Sequence, residues 1–218
     1  MTLAIFDLDN TLIGGDSDNL WGQFVCTQGW VNATDFGARN DQFYADYQAG
    51  TLDIDAYLRF ALSPLVGQPR EVIDHWHKQF MRQVIEPIML PKAQALLAHH
   101  REAGHQLLII TATNDFITRP IAHRLGITEL IACEGAIING RYTGEPQGIL
   151  SYHTGKVVRL RSWLQGTDKT MDDAWFYSDS HNDLPLLELV SHPVAVDPDD
   201  KLRARAEEAG WDIISLRE

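Results

Sequence analysis

Four short apolar runs, each stopping abruptly at a polar cluster, constrain what this chain can fold into more than any other feature of its 218 residues. Leu3-Ala4-Ile5-Phe6 stops at Asp7-Leu8-Asp9-Asn10-Thr11, and residues 105–110 stop at Thr111-Ala112-Thr113-Asn114. Residues 174–177 stop at Ser178-Asp179-Ser180-His181-Asn182-Asp183, and residues 193–196 stop at Asp197-Pro198. Runs this short and this continuously apolar read as strands buried on both faces. Between them, residues 92–103 and 115–125 carry helical patterns closed by Gly104 and Gly126, and residues 155–164 and 183–190 read as two more helices. Strands alternating with helices predict an α/β fold, a Rossmann-like doubly wound and mostly parallel sheet. Such sheets bind ligands beyond the carboxyl ends of their strands, where the polar clusters fall.

Residues 17–86 break the pattern. They are rich in aromatics (Trp21, Phe24, Trp30, Phe43, Tyr44, Tyr47, Tyr57, Phe60), show helical spacing and contain no strand. The expectation is an all-helical cap domain over 17–86, inserted into a core domain made of 1–16 and 87–218. Packing within the helices is the expected role of its aromatics. Gly14-Gly15 is a plausible hinge at the entrance and Glu86-Pro87 marks the exit.

With 44% hydrophobic residues the chain can build one sizeable core. A formal net charge of −12 leaves no basic stripe for nucleic acid or anionic lipid, so neither partner is expected. No apolar run approaches the roughly 18 residues that cross a bilayer, and no basic segment with an apolar signal core is present. Cys26 and Cys133 lie far apart without metal-binding spacing, which fits two packed thiols in a reducing cytoplasm. Nothing in the sequence specifies an oligomeric state.

The chemistry sits in the polar clusters. Asp7 and Asp9, two residues apart, share one side of a continuing strand. Close carboxylates repel unless a cation lies between them, and a divalent ion with oxygen ligands is the simplest answer. Magnesium, which keeps waters and takes a phosphate oxygen, makes phosphoryl chemistry the natural use, with an Asp as nucleophile. Thr111 is placed to bond a phosphoryl oxygen, while Thr113 or Asn114 can cap the following helix. Lys156 is placed to neutralise a transferring phosphoryl group. Asp179 supplies a further carboxylate for a hard cation, and Asp183 stands where a helix N-cap also would.

In order and spacing, Asp7-Leu8-Asp9-Asn10-Thr11, then Thr111, then Lys156, then Asp179-x-x-x-Asp183 resemble the haloacid dehalogenase-like superfamily, in its phosphoserine-phosphatase-like branch. The resemblance implies a magnesium-dependent phosphomonoesterase acting on a small phosphorylated metabolite through an aspartyl-phosphate. It implies that Asp7 is the nucleophile, Asp9 the general acid/base, and Thr111 and Lys156 the phosphate-positioning pair. Magnesium is implied on the Asp7 and Asp179 carboxylates and the Asp9 backbone carbonyl, with Asn182 as a phosphate or substrate contact and Asp183 in support. A helical cap between the first two motifs belongs to the same pattern.

Ser178 replaces a frequent Gly of that pattern, and His181 is an added titratable group. Relatives that take phosphoserine use an early acidic residue and a cap Arg for the head group; Asp16, Asp18 and Arg59 stand in those regions. Asp16 and Asp18 suggest an amine-bearing substrate such as histidinol phosphate or phosphoserine, although they could equally serve as a solvated helix cap. Phosphotransfer, as in phosphomutases, and a non-catalytic regulatory module are the alternative readings.

Overall fold

The computed structural model describes residues 2–167 and 169–217. In chain order the elements are β1 (Leu3–Phe6), α1 (Ser17–Thr27), α2 (Ala33–Ala49), α3 (Ile54–Leu62), α4 (Arg70–Phe80), α5 (Pro91–Glu102), β2 (Gln106–Asn114) and α6 (Asp115–Arg124). They continue with β3 (Leu130–Ile138), β4 (Arg141–Gln147), α7 (Thr154–Gln165), β5 (Trp175–Ser178), α8 (Leu184–Leu187), β6 (His192–Val196), α9 (Asp200–Ala209) and β7 (Asp212–Ile214). One sheet in the order β4-β3-β2-β1-β5-β6-β7 holds every named strand, and only the β3–β4 pair is antiparallel. The α/β expectation holds.

β1 sits at the centre because its four residues are all apolar and can be buried on both faces. Ala4 and Phe6 face one apolar layer with Leu107, Ile109 and Val194, while Leu3 and Ile5 face the other with Leu108, Ile110 and Phe176. Trp21, Phe24 and Phe80 of the helices that follow β1 join the first layer, so those helices rest on the sheet through shared apolar contact. From β1 the chain runs to β2 on one side and later returns to β5 on the other, which makes the β1–β5 edge a topological switch point.

Between β1 and β2 the structure contains helices and no named strand, as the sequence predicts. The two chain crossings are adjacent: Gly14 N donates to Ile88 O at 2.8 Å, and Ile13 bridges Met89. α4 runs on through a π-helical turn, Met81–Ile85, and a 3-10 turn, Glu86–Ile88, before α5.

Three strands went unread in the sequence. β3 and β4 meet at Asn139-Gly140, both at positive φ (52° and 75°), a hairpin dipeptide that was legible in principle. β7 is a three-residue edge strand, too short for a periodic signal. The expected helix over 183–190 shrinks to a 3-10 turn, His181–Asp183, and the short α8. Asp183 does not cap it, because Lys156 and Ser178 engage its carboxylate. Among the described residues, no helix is long and apolar enough to cross a membrane.

α7 begins where the backbone is crowded: a Cβ at Gly155 would lie 2.0 Å from Leu150 O. Ala in place of Gly usually stabilises a helix by roughly 0.5–1 kcal/mol. Here Gly155→Ala is expected to destabilise by about 1–3 kcal/mol, as overpacking does, and to displace Lys156 beside it. Urea denaturation checks the sign; a gain in stability would show that the 150–154 loop yields freely.

Candidate active site

Asp7 follows the last residue of β1, and its amide still donates to Tyr177 O at 2.9 Å, so the adjacent strand β5 fixes its backbone. Lys156 Nζ lies 2.7 Å from Asp7 Oδ1 and 2.7 Å from the Asp183 carboxylate. Ser178 Oγ donates to Asp183 Oδ2 at 2.7 Å. These four side chains are buried. Burial alone would lower the Lys156 pKa, but Asp183 and Asp7 outweigh it and hold the amine above its usual range, so it is a fixed positive charge. Asp7 is pushed up to about 7, first by burial and then by Asp183 and Asp9, against the opposing pull of Lys156.

The chain does not continue as a strand after Asp7. Leu8 O accepts from the amides of residues 11, 12 and 13, and Asn10 takes a positive φ of 55°. Asp7 and Asp9 therefore share one cavity because the chain turns, and not through the i, i+2 strand geometry expected from sequence. The Asp9 carboxylate accepts from Ser17 N at 2.6 Å and from Thr113 Oγ1 at 2.8 Å. Burial and then Asp16 raise its pKa to about 6, with the Ser17 and Thr113 hydrogen bonds opposing.

Asp179 arrives from the end of β5. Thr11 Oγ1 donates to its Oδ1 at 3.1 Å and accepts its backbone amide at 3.1 Å, which ties the two motifs together. Burial, Asp7 and Asp183 raise the Asp179 carboxyl well above its usual range. Among the described residues, no three His, Cys, Asp or Glu side chains group closely enough to hold a metal ion. Asp7 and Asp179 nonetheless offer two mutually repelling hard-oxygen donors. That donor chemistry fits a hard divalent cation.

Thr111 is buried, lines the same cavity and accepts from Thr113 N at 3.1 Å. Asn114 is the N-cap of α6, so that half of the expectation holds, while Thr113 serves Asp9. Asp16 is the N-cap of α1, accepting from Asp18 N and Asn19 N, and it also lines the cavity. Asp18 Oδ1 accepts from Asn114 Nδ2 at 3.4 Å, whereas its Oδ2 is buried with no hydrogen-bond partner. Burial, followed by Asp16 and Asp9, raises the Asp18 carboxyl well above its ordinary value.

Arg59, Asn182 and His181 have the following partners. Arg59 is exposed and pairs with Asp55 and Glu145, outside the cavity lining. The Asn182 amide bonds Tyr47 O, Tyr152 Oη and His153 Nε2. His181 is held by Asp199, with Nδ1 2.7 Å from its carboxylate.

The cavity wall opposite Asp7 comes from Phe43, Tyr44, Tyr47 and Tyr57, which sequence reasoning assigned to helix packing. Helical periodicity identifies a face but not what that face covers, so their role was illegible. Burial and the charges of Asp179, Asp7 and Asp183 raise the Tyr47 phenol well above its usual value and keep it neutral.

A family-wide profile of the haloacid dehalogenase-like hydrolases matches residues 4–188. The chain belongs to the haloacid dehalogenase-like hydrolase family. It is 45% identical over 221 residues to a histidinol-phosphatase of Neisseria meningitidis serogroup C (strain 8013), covering 99% of each chain. A crystal structure of a Bordetella pertussis Tohama I protein of unknown function superposes with a TM-score of 0.93 at 39% identity, over 99% of this chain and 100% of that one. A phosphoserine phosphatase captured as a phospho-aspartyl intermediate analogue shares the fold, with a TM-score of 0.73 at 17% identity over 100% and 94% of the two chains.

The carboxylates of this hydrolase carry a pH signature. Burial pushes Asp7 up to about 7 and Asp9 and Asp16 up to about 6, against 3.8 for the free side chain. The folded state therefore binds more protons than the unfolded state between about pH 4 and 7, and these groups lower stability as pH rises through that window. Asp16→Asn keeps a competent helix cap and removes one charge, so it should flatten the fall in melting temperature of chelator-treated protein between pH 4.5 and 7.5. An unchanged slope would mean that Asp16 is not charged at neutral pH or is not strained by its neighbours.

Proposed function

We propose that this hydrolase is a magnesium-dependent phosphomonoesterase that forms an aspartyl-phosphate on Asp7. The observation that carries the reading is Lys156, bonded at 2.7 Å to both Asp7 and Asp183 in a buried site, with Asp179 electrostatically coupled to the same carboxylates. Asp7 attacks phosphorus, and the bond to the leaving oxygen breaks as Asp9 donates a proton to it. Asp9 then takes a proton from water, which attacks the phosphorus of the aspartyl-phosphate and releases inorganic phosphate and free Asp7. An Asp9 pKa of about 6 suits a group that must do both near neutrality. Thr113 and Ser17 orient the Asp9 carboxylate, Thr111 is placed for a phosphoryl oxygen, and Lys156 offsets phosphoryl charge. The Asp7 and Asp179 carboxylates and the Asp9 carbonyl would hold magnesium, which would supply further neutralisation of phosphoryl charge.

Residues 17–86 act as the cap and 1–16 with 87–218 as the core, a division that the adjacent crossings at Gly14 and Ile88 support. The two free thiols are in keeping with a cytoplasmic setting.

The substrate is an amine-bearing phosphomonoester without a carboxylate, and histidinol phosphate is the member of that class that we favour. The unpartnered Asp18 Oδ2 and the neighbouring Asp16 form an acidic end to the cavity, and the aromatic wall suits a flat ring. No Lys or Arg lines that cavity among the described residues, so the carboxylate of phosphoserine finds no counter-charge there. The 45% identity to a histidinol-phosphatase over nearly the whole chain points the same way.

Asp7→Asn should reduce phosphate release on the order of 10³-fold or more. For the wild type, kcat/KM for histidinol phosphate should exceed that for phosphoserine by about 100-fold, and Asp18→Asn should narrow the gap. A preference for phosphoserine would overturn the substrate assignment. Saturating magnesium should stabilise the protein by about 2–3 kcal/mol in thermal melts, and Asp179→Asn should remove most of that gain.

A further inference from the structure

Phe43, Tyr44, Tyr47 and Tyr57 of the helical segment line one cavity with Asp7 and Asp9, so the helices sit down over the reactive carboxylates in this structure. What holds them shut is visible at the end of α2. The helix stops at Gly50, whose φ of 79° favours glycine and whose added Cβ would sit 2.7 Å from His181 Nε2. Gly50 N and Thr51 N bond Tyr47 O and Asp46 O, and the Tyr47 and Ala49 carbonyls also face the core domain.

Two core side chains reach them. Asn182 Nδ2 donates to Tyr47 O at 3.0 Å, and Lys201 Nζ donates to Ala49 O at 3.1 Å. Asn182 Oδ1 in turn accepts from Tyr152 Oη at 3.3 Å and faces His153 Nε2 at 3.2 Å, both in the loop that leads into Lys156. Lys201 is steadied on the core side. His181 Nδ1 gives its proton to Asp199 at 2.7 Å, which leaves Nε2 to accept from Lys201 Nζ at 3.3 Å. Asp199 N is bonded to Asp179 O at 2.9 Å, so the clasp is anchored on the backbone of a catalytic motif.

We propose that Asn182 and Lys201 are positioning residues: by capping the last carbonyls of α2 they hold the cap shut over Asp7 and couple closure to the loop that carries Lys156. The Asn182 amide thus reaches the backbone of the cap. Tyr44 and Tyr47, three residues apart near this end of α2, are the cavity residues that the clasp sets in place. The kinetic consequence rests on the phosphatase reading above; the structural one does not.

Amide hydrogen exchange tests the clasp directly. The amides of Gly50 and Thr51, bonded to Tyr47 O and Asp46 O, should exchange at least about fivefold faster in Asn182→Ala and Lys201→Met, with β1 and β2 unaffected. Unchanged exchange in both variants would overturn the proposal. In kinetics, Lys201→Met should lower kcat/KM for histidinol phosphate about fivefold, the effect of one lost hydrogen bond, and Lys201→Arg should restore it. Acetyl phosphate, whose leaving group gives the cap nothing to grip, should be hydrolysed within about twofold of the wild-type rate by Lys201→Met. Equal losses on both substrates, or losses that track a fall in melting temperature, would also overturn the positioning role. If exchange changes as expected but the wild type hydrolyses neither substrate, the clasp stands and the phosphatase reading falls.

Discussion

The contact on which the rest of this structure depends is the buried ammonium of Lys156 between Asp7 and Asp183. It joins residues 149 and 27 positions away in sequence, binding the end of β1, the start of α7 and the turn after β5 into one unit. A lysine only 2% exposed is tolerable because both carboxylates pair with it, and Ser178 occupies Asp183 further. Removing Lys156 would leave two carboxylates facing each other in a dry interior. The paired arrangement presents Asp7 in fixed register at the switch point of the sheet.

Around this unit the molecule concentrates negative charge. Asp9, Asp16, Asp18 and Asp179 add to the Asp7 and Asp183 carboxylates, and burial raises Asp9, Asp16, Asp18 and Asp179 above their ordinary range. A chain of net charge −12 does not draw an anionic substrate by its overall field. Positive charge is supplied locally instead, by Lys156 beside Asp7 and Asp183.

The cap connects this electrostatics to motion. Its aromatic side chains line the cavity beside Asp7 and Asp9, and apolar surface there strengthens the polar interactions inside. Hydrogen bonds at the end of α2, few in number and partly exposed, are weak enough to break repeatedly, unlike the buried pairs that hold Asp7.

Much of this was legible before the fold was seen. The Leu3–Phe6 run and its three counterparts determine a buried parallel sheet, because continuous apolar strands need cover on both faces. The ordered set Asp7, Asp9, Thr111, Lys156, Asp179 and Asp183 points to reactive groups gathering at one sheet edge, because each lies toward or past the end of a strand or at the start of a helix. Residues that act through shape were not legible. Thr113 and Ser17 became partners of Asp9 only because the chain turns after Asp7; Arg59 turned outward; Asn182 joined the cap; and the tyrosines of α2 proved to face the site. Sequence patterns report which face of an element is apolar and where an element ends, while the neighbour across a gap is set by how separate elements pack, and that was decided by the tertiary structure alone.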